Sequence, residues 1–437
     1  MRQKALLTLM SISIAFGNSL GVTNGNDSGP GSLRAAIASA APGDTIAFNI
    51  KTMHFPVTIT PLTTLAITQS VNIAGPGTSM LFIHGGNVYN SPSLDSPIFS
   101  IAAGATVSLS GMTLQNGSAF GPVQENGGIR GGQGGSIRNL GNLALNNVAI
   151  TSSYASLGGA IYSAGTLNIT NSVLTNNTAE QGGAIFNGGP MTLNNTVVSG
   201  STAHSAGAIF NGGPARINAS VISGSSAQYG GGGIMNLGSR ANLIISQSTV
   251  SGSVYGGLYS ESPATIIDST FSGNSTSAGG GAIFSIGPLT VSNSTFAGNS
   301  ASVAGAIGSY LASTTLKNNI FSNNAGGNCA IQLGGSLGGN LSDDTSCTGL
   351  LNRSGDMNST AAGLDPAGLQ NNGGPTPTIA LLPSSPAIDA VPAGSCTDAA
   401  GTPVTTDQRG VSRPQGRACD IGAFELARPT GGPVSMP

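Results

Sequence analysis

Apolar residues return along this chain at a long and nearly constant interval. Between Gly134 and Ala325 one aliphatic slot, preceded by small residues, is filled by Ile137, Ile161, Ile185, Ile209, Ile234, Leu258, Ile283 and Ile307. Successive separations are 24, 24, 24, 25, 24, 25 and 24 residues, and self-similarity at such a period marks a solenoid. Two further apolar stations divide each period. An alternating run follows a turn, as in Leu167-Asn168-Ile169 and Leu289-Thr290-Val291. After a second polar turn come Ile150, Leu174, Val198, Ile222, Val250, Phe271, Phe296 and Phe321. Short alternating stretches bounded by Gly, Asn and Ser read as three strands per repeat. No stretch within the period is long enough, or free enough of Gly and Asn, to form a helix. The pattern therefore sets aside helical and leucine-rich repeats and predicts an all-β parallel β-helix.

Rungs of such a coil stack about 4.8 Å apart, so each residue lies on its counterpart in the next rung. Two positions after the aliphatic slot the column reads Asn139, Ser163, Asn187, Asn211, Asn236, Ser260, Ser285 and Ser309. Stacked amides and hydroxyls bond to each other and to turn backbone, which makes this column structural. One position after the slot stand Arg138, Tyr162, Phe186, Phe210, Met235, Tyr259 and Phe284. Strand alternation directs them outward, so Tyr162, Phe186, Phe210, Tyr259 and Phe284 are candidate ligand-binding residues that could stack on sugar rings. Against this stands burial of the same column by a bulge at the corner or by a covering loop.

Outside the repeats the text changes. Residues 1–20 have the form of a secretory signal: Arg2 and Lys4, an apolar run from Ala5 to Phe16, and small residues around Gly17 and Ser19. The run is too short to span a bilayer. Within 21–48, Ser32 reads as the N-cap of a helix with Leu33, Ile37 and Ala40 on one face, stopped by Pro42-Gly43 and followed by a strand over Thr45 to Phe48. This segment is expected to cap the open end of a coil running over 49–328. From Thr58 to Asn116 the rungs are irregular, with strands expected at Val57 to Ile59, Val71 to Ile73, Met80 to Ile83, Val107 to Leu109 and Met112 to Leu114. The Gly-rich stretch 117–135 is expected to loop out.

Charged residues make up only 7% of the chain and the net charge is −2, so no basic patch exists to neutralise the phosphates of nucleic acid. Cys329, Cys347, Cys396 and Cys419 in a chain expected to be exported point to two disulfides, with local pairing of each couple preferred among three connectivities. Zinc is set aside, because no Cys-x-x-Cys spacing occurs and His54, His84 and His204 lie far upstream. Residues 329–426 are expected to form the last rungs and a stapled C-terminal cap. The tail, 427–437, shows neither a hydrophobic stretch nor a sorting motif, so release or non-covalent attachment is the expectation.

Two phrases resemble bacterial secreted and surface proteins with right-handed parallel β-helix repeats of the choice-of-anchor Q type. At the N-terminus it is Val22-Thr23-Asn24, Asp27-Ser28-Gly29, Gly31-Ser32-Leu33-Arg34 and Gly43-Asp44-Thr45-Ile46. At the C-terminus it is Gly373-Gly374-Pro375-Thr376-Pro377-Thr378, Ser385-Pro386-Ala387-Ile388-Asp389, Thr406-Asp407-Gln408-Arg409-Gly410 and Ala418-Cys419-Asp420-Ile421-Gly422-Ala423-Phe424-Glu425. The repeats are also similar to those of chlamydial polymorphic outer-membrane proteins, which share the Gly-Gly-Ala-Ile phrase and Phe-x-x-Asn, here Phe271 to Asn274, Phe296 to Asn299 and Phe321 to Asn324. The resemblance implies a right-handed coil and an extracellular or cell-surface location.

Catalysis is the serious rival to a structural or adhesive role, since parallel β-helices commonly cleave polysaccharides. Glycoside hydrolysis wants two carboxylates about 5 to 10 Å apart. Between Ile137 and Phe321 the only acids are Glu180, Glu261 and Asp268, of which Glu261 and Asp268 are close enough in sequence to meet. Asp343, Asp344, Asp356 and Asp365 are the better catalytic candidates, although Asp in Gly/Asn/Ser-rich loops usually serves turns. Gly334 to Gly338 matches the nucleophile-elbow pattern around Ser336, but no His follows it. Asp389, Asp407, Arg409, Arg413, Asp420 and Glu425 form the densest charge cluster, read as ion pairs with calcium as the alternative. The expectation is a monomeric, secreted or surface β-helix without a cofactor that binds polysaccharide or another surface, the alternative being a polysaccharide lyase or glycoside hydrolase.

Overall fold

The computed structural model describes residues 17–49, 51–86, 96–119, 123–125, 128–130 and 132–427. The expected signal segment through residue 16 and most of the tail fall outside these residues. The aliphatic slots form one face, an 11-stranded parallel sheet running from Leu65–Ile67 to Cys329–Ile331. Each strand pairs in register with the next, as in Ile161↔Ile185, Ile185↔Ile209 and Ile209↔Ile234. The two other stations form further parallel ladders, Leu167↔Met191↔Ala215 and Leu174↔Val198↔Ile222. They merge into one 23-stranded sheet, because the long strands Thr106–Gln115 and Asn142–Thr151 run through the corner between them. The coil is a right-handed parallel β-helix.

Four rungs add a fourth short strand that the three-station pattern does not contain. Ser118–Ala119, Tyr154–Leu157, Thr178–Gln181 and Thr202–Ser205 form a separate four-stranded sheet. Leu65–Ile67 and Phe99–Ile101 are likewise strands of the first face beyond those expected in the irregular region. Part of the Gly-rich stretch, expected as a loop, is an antiparallel hairpin of Val123–Glu125 with Gly128–Arg130.

Inward positions are apolar or amide. The Asn/Ser column is fully buried. Asn187 Nδ2 donates to Asn211 Oδ1 at 2.8 Å, Asn211 to Asn236 at 2.9 Å and Asn236 to Ser260 at 2.9 Å. The Phe-x-x-Asn phrase builds two more ladders. Phe271, Phe296 and Phe321 stack in the core at 5.3 Å centroid spacing, and Asn274 donates to Asn299, and Asn299 to Asn324, at 2.9 Å each.

At the first rung, Ser32 caps the helix Leu33–Ser39 by accepting from the Ala35 N–H, and Leu33 and Ile37 are buried beneath it. Arg34 pairs with Asp27 at 2.7 Å and donates to the Thr63 and Thr64 carbonyls at 2.7 and 3.1 Å. At the other end Cys347 and Leu351 pack into the main core, and a disulfide joins Cys347 to Cys329.

Beyond that cap the chain turns back along the flank of the coil. Gln408, wholly buried, accepts from Thr270 Oγ1 at 2.6 Å and donates to Thr249 Oγ1 at 2.9 Å. The Ala423 N–H donates to Thr295 Oγ1 at 3.0 Å and the Gly422 N–H to the Asn318 carbonyl at 3.0 Å. The C-terminal region, expected to form the last rungs and a stapled cap, comprises a short end plug followed by a lateral brace. The covered column betrays it: Val173, Val197 and Val221 are partly or fully open, whereas the next residues in register, Thr249, Thr270, Thr295 and Ile320, are buried. At Thr249, Thr270 and Thr295 hydroxyls replace methyls and hydrogen-bond the brace backbone and Gln408, while Ile320 packs into the apolar core of the brace. The second disulfide, Cys396–Cys419, lies within the brace. Both cysteine couples are paired locally.

Candidate functional site

The outward aromatic column is a ladder. Tyr162 and Phe186 stack at 5.5 Å and 14°, Phe186 and Phe210 at 4.6 Å and 2°. Met235 interrupts the series, and Tyr259 and Phe284 resume it at 5.7 Å and 6°. All these side chains are half-buried. Parallel rings in offset stacks favour one another, but a ring sandwiched in the column offers solvent its edge and not its face. The structure thus brings Tyr162, Phe186 and Phe210 together in one half-buried stack and Tyr259 with Phe284 in a second. Beside it lies the glycine corner. Gly158 and Gly182 hold φ of 64° and 65°, left-handed angles that glycine adopts without steric cost. The rings rest near this corner: a Cβ at Gly279 would lie 3.6 Å from the Phe284 ring.

One rung breaks the regular wall. Ser226, Val254 and Ser275 are in register, as are Ile234, Leu258 and Ile283. The turn covers eight residues from Ser226 to Ile234, four from Val254 to Leu258, and eight again from Ser275 to Ile283. A short turn between two long ones leaves a notch of about 280 Å³, lined by Tyr229, Tyr255, Tyr259, Thr276 and Phe284 over a glycine floor. Tyr229 is 62% exposed and Tyr255 41% exposed, so both present ring surface at the rim. Tyr229 rests against His204, centroids 4.8 Å apart and tilted by 58°. The Tyr259 hydroxyl donates to Glu261 at 2.6 Å. Burial, then that bond and the carboxylate's charge, push the phenol up to about 12, so Tyr259 remains a donor.

Periodicity missed Tyr229 and Tyr255 because the slots on either side, Ile234 and Leu258, are still 24 residues apart. The shortened turn is offset by a lengthened one in the same rung. Seven residues lead from Asn236 to Leu243, where four suffice from Asn211 to Ala215 and from Ser260 to Ala264. The signal was present in the spacing between stations, not in the repeat length.

The four candidate catalytic acids serve turns. Asp343 accepts from the Asn323 N–H at 2.6 Å and from Asn328 Nδ2 at 2.9 Å. Asp344 accepts from the Asn328 N–H and the Ser346 N–H, each at 2.9 Å. Asp356 accepts from Ser336, from the Asn340 N–H and from the Arg353 N–H at 2.8 to 2.9 Å, and Asp365 caps its own turn through the Ala367 N–H at 2.9 Å. Asn328 brings Asp343 and Asp344 together, while Asp356 and Asp365 bond to other donors. Ser336, the elbow-like serine, is buried and tied to Asp356. Glu261 meets Tyr259 at the notch, and Asp268 is buried beneath the brace. Among the described residues no group of three or more His, Cys, Asp or Glu side chains is placed to hold a metal ion.

The dense C-terminal charge cluster holds the brace together. Asp407 accepts two bonds from the Arg409 guanidinium, at 2.9 and 2.7 Å, one from the Arg409 N–H at 2.9 Å and one from the Glu425 N–H at 2.9 Å. The Arg409 guanidinium lies 3.5 Å from the centroid of the Phe424 ring. Arg413 donates to the Asp420 and Gly422 carbonyls at 2.7 and 2.6 Å and to Glu425 at 3.3 Å. Asp420 accepts from the Asp389 and Leu426 N–H groups at 2.8 and 2.7 Å. Burial pushes the carboxyls of Asp420 and Glu425 up despite these donors. The ion-pair reading accounts for these oxygens without a cation.

The geometry defines a parallel β-helix protein with a notched flank. No family model matches the chain, and no curated protein matches it. Among solved structures it is similar to pectate lyase Pel9A, with a TM-score of 0.50 and 16% identity over 94% of this chain and 97% of that one. Other similar structures are PfbA, a surface adhesin of Streptococcus pneumoniae, with a TM-score of 0.40 and 12% identity over 71% of this chain and 93% of that one. A further one is the A-module of the mannuronan C-5 epimerase AlgE6 of Azotobacter vinelandii, with a TM-score of 0.36 and 14% identity over 74% of this chain and 98% of that one. The likeness to Pel9A is one of fold. No helix among the described residues is long and apolar enough to cross a membrane.

Proposed function

We propose that this is an exported, monomeric β-helix protein of the cell surface or its surroundings that binds polysaccharide without transforming it. The observation that carries the reading is the notch between Tyr229 and Tyr255, where two exposed rings stand over a glycine floor. Amphipathic rings with a polar tip suit a ligand that is apolar on its sugar faces and hydroxylated at its edges. Two disulfides suit an oxidising compartment, and the terminal phrases, which resemble those of choice-of-anchor Q proteins, support export. The carboxylates open to a catalytic role are taken up by backbone and side-chain donors of their own turns, which favours binding over cleavage, and no calcium or other cofactor is assigned.

The test is incubation of the purified protein with a panel of plant, algal and bacterial polysaccharides, with and without calcium, scoring retention alongside new reducing ends and unsaturated uronates. Retention without product is expected, and it should survive chelation of calcium. Product that disappears on replacing Asp343 or Asp356 by Asn would overturn the reading in favour of a lyase or hydrolase.

A further inference from the structure

The chemistry of the notch narrows its ligand, given the polysaccharide-binding reading on which this step rests. The residues lining it are tyrosine, phenylalanine, leucine, threonine, alanine and glycine, with no Lys, Arg or His among them. The charged group bonded to that lining is an anion, Glu261, which accepts from Tyr259 at 2.6 Å. A polyuronate laid here would carry carboxylates past aromatic rings and a like charge, with no Lys or Arg in the lining to pair them. Burying charge without a partner is unfavourable, and like charges in a partly desolvated cleft repel.

Shape sets the direction. The long turns of the flanking rungs are two rung spacings apart, about 9.6 Å centre to centre. After the bulk of the two turns is allowed for, the slot takes one sugar ring in thickness. It opens across the coil axis, because it exists by the shortening of a single rung. Tyr255 rises from that rung and Tyr229 from the one before it, so their exposed rings flank one chain crossing the slot. We infer that the notch binds an uncharged polysaccharide chain, laid across the solenoid axis between Tyr229 and Tyr255, and discriminates against polyuronates.

Affinity electrophoresis of the intact protein through gels containing hydroxyethyl cellulose, galactomannan, polygalacturonate, alginate or chitosan tests this directly, each at low and high salt. The expected result is retardation by a neutral polymer that high salt leaves unchanged, since screening acts on charge and not on ring stacking. Losing one stacked ring, at about 1.4 kcal/mol, corresponds to about a tenfold loss of affinity, so Tyr229→Ala and Tyr255→Ala should each lose about that much. Both side chains are exposed, and an unchanged thermal melt verifies that the variants fold. Retardation by polygalacturonate, alginate or chitosan that salt abolishes would overturn the ligand class while leaving polysaccharide binding intact. Absence of retardation by any polymer would overturn polysaccharide binding itself. Retardation by a neutral polymer that neither tyrosine variant reduces would move the site away from the notch and overturn the assignment.

Discussion

Gln408 donates a hydrogen bond to Thr249 at 2.9 Å although 159 residues separate them. The same amide accepts from Thr270 at 2.6 Å and donates to Thr376 at 2.9 Å, in full burial. One side chain thereby ties the C-terminal brace to two successive rungs. Removing it strands hydroxyls in a dry interface, each at about 1–3 kcal/mol. Gln408→Ala should lower unfolding stability by an amount in that range or above it. Hydrogen exchange should quicken in Thr249–Ser251 and Thr270–Ser272 but not in Val173–Thr175, which the brace does not cover.

Acid–base behaviour should centre on the same interface. Asp268 is buried with its Oδ1 3.9 Å from Arg413 and without a hydrogen-bond partner. Burial raises its carboxyl from 3.8 to about 7, a rise that Arg413 opposes and that Asp407 and Asp398 reinforce. The folded state then holds a proton that the unfolded state has released, so stability falls as pH rises through that interval. Asp420 and Glu425, also raised, act in the same direction. Thermal melts should therefore show a midpoint that declines from mildly acidic to neutral pH. Asp268→Asn should flatten that decline and raise the midpoint above neutrality. An Asp268→Asn midpoint that falls with pH as steeply as the parent's would rule Asp268 out as the source.

The buried amide ladder makes a sharper demand on sequence. Asn211 accepts from Asn187 at 2.8 Å and donates to Asn236 at 2.9 Å and to the Gly213 carbonyl at 2.8 Å. Asn211→Leu keeps the branching and heavy-atom count but leaves those partners unpaired, at about 1–3 kcal/mol apiece. Denaturant titration should show a loss of several kcal/mol, whereas Asn211→Ser, the residue type that completes this column at Ser163 and Ser260, should lose less.

Reduction should act on the two ends of the C-terminal region separately. Cys329–Cys347 closes a loop with a sequence separation of 18 and Cys396–Cys419 one of 23. Bridges over loops of this size contribute about 3 kcal/mol in the chain-entropy account. Cys347→Ser should loosen the end plug, read as proteolysis near Leu351, and Cys419→Ser should loosen the brace, read as cleavage near Ala393–Ser395.

Most of the architecture could be read from the chain because a stacked coil repeats its constraints. Ile161, Ile185 and Ile209 share one environment, so their slot recurs, and the Asn/Ser column recurs for the same reason. What periodicity could not carry was anything that happens once. The brace is one such feature, since Gln408 meets Thr249 through long-range contacts with no period. The notch is another, because the turn shortened before Leu258 is balanced by the turn lengthened after Asn236. The aromatic column was visible, but its stacking depends on ring orientation, which alternation does not specify. The four acids Asp343, Asp344, Asp356 and Asp365 were visible too, and their neighbours in the Gly/Asn/Ser-rich turns supply the N–H donors that occupy them.

Titration calorimetry of a soluble neutral oligosaccharide into the parent protein, into Tyr229→Ala/Tyr255→Ala and into Phe186→Leu separates the notch from the ladder. The account predicts binding by the parent, loss of binding in the double tyrosine variant and near-parental affinity in Phe186→Leu. Loss in Phe186→Leu with full affinity in the double tyrosine variant would place recognition on the ladder and contradict it.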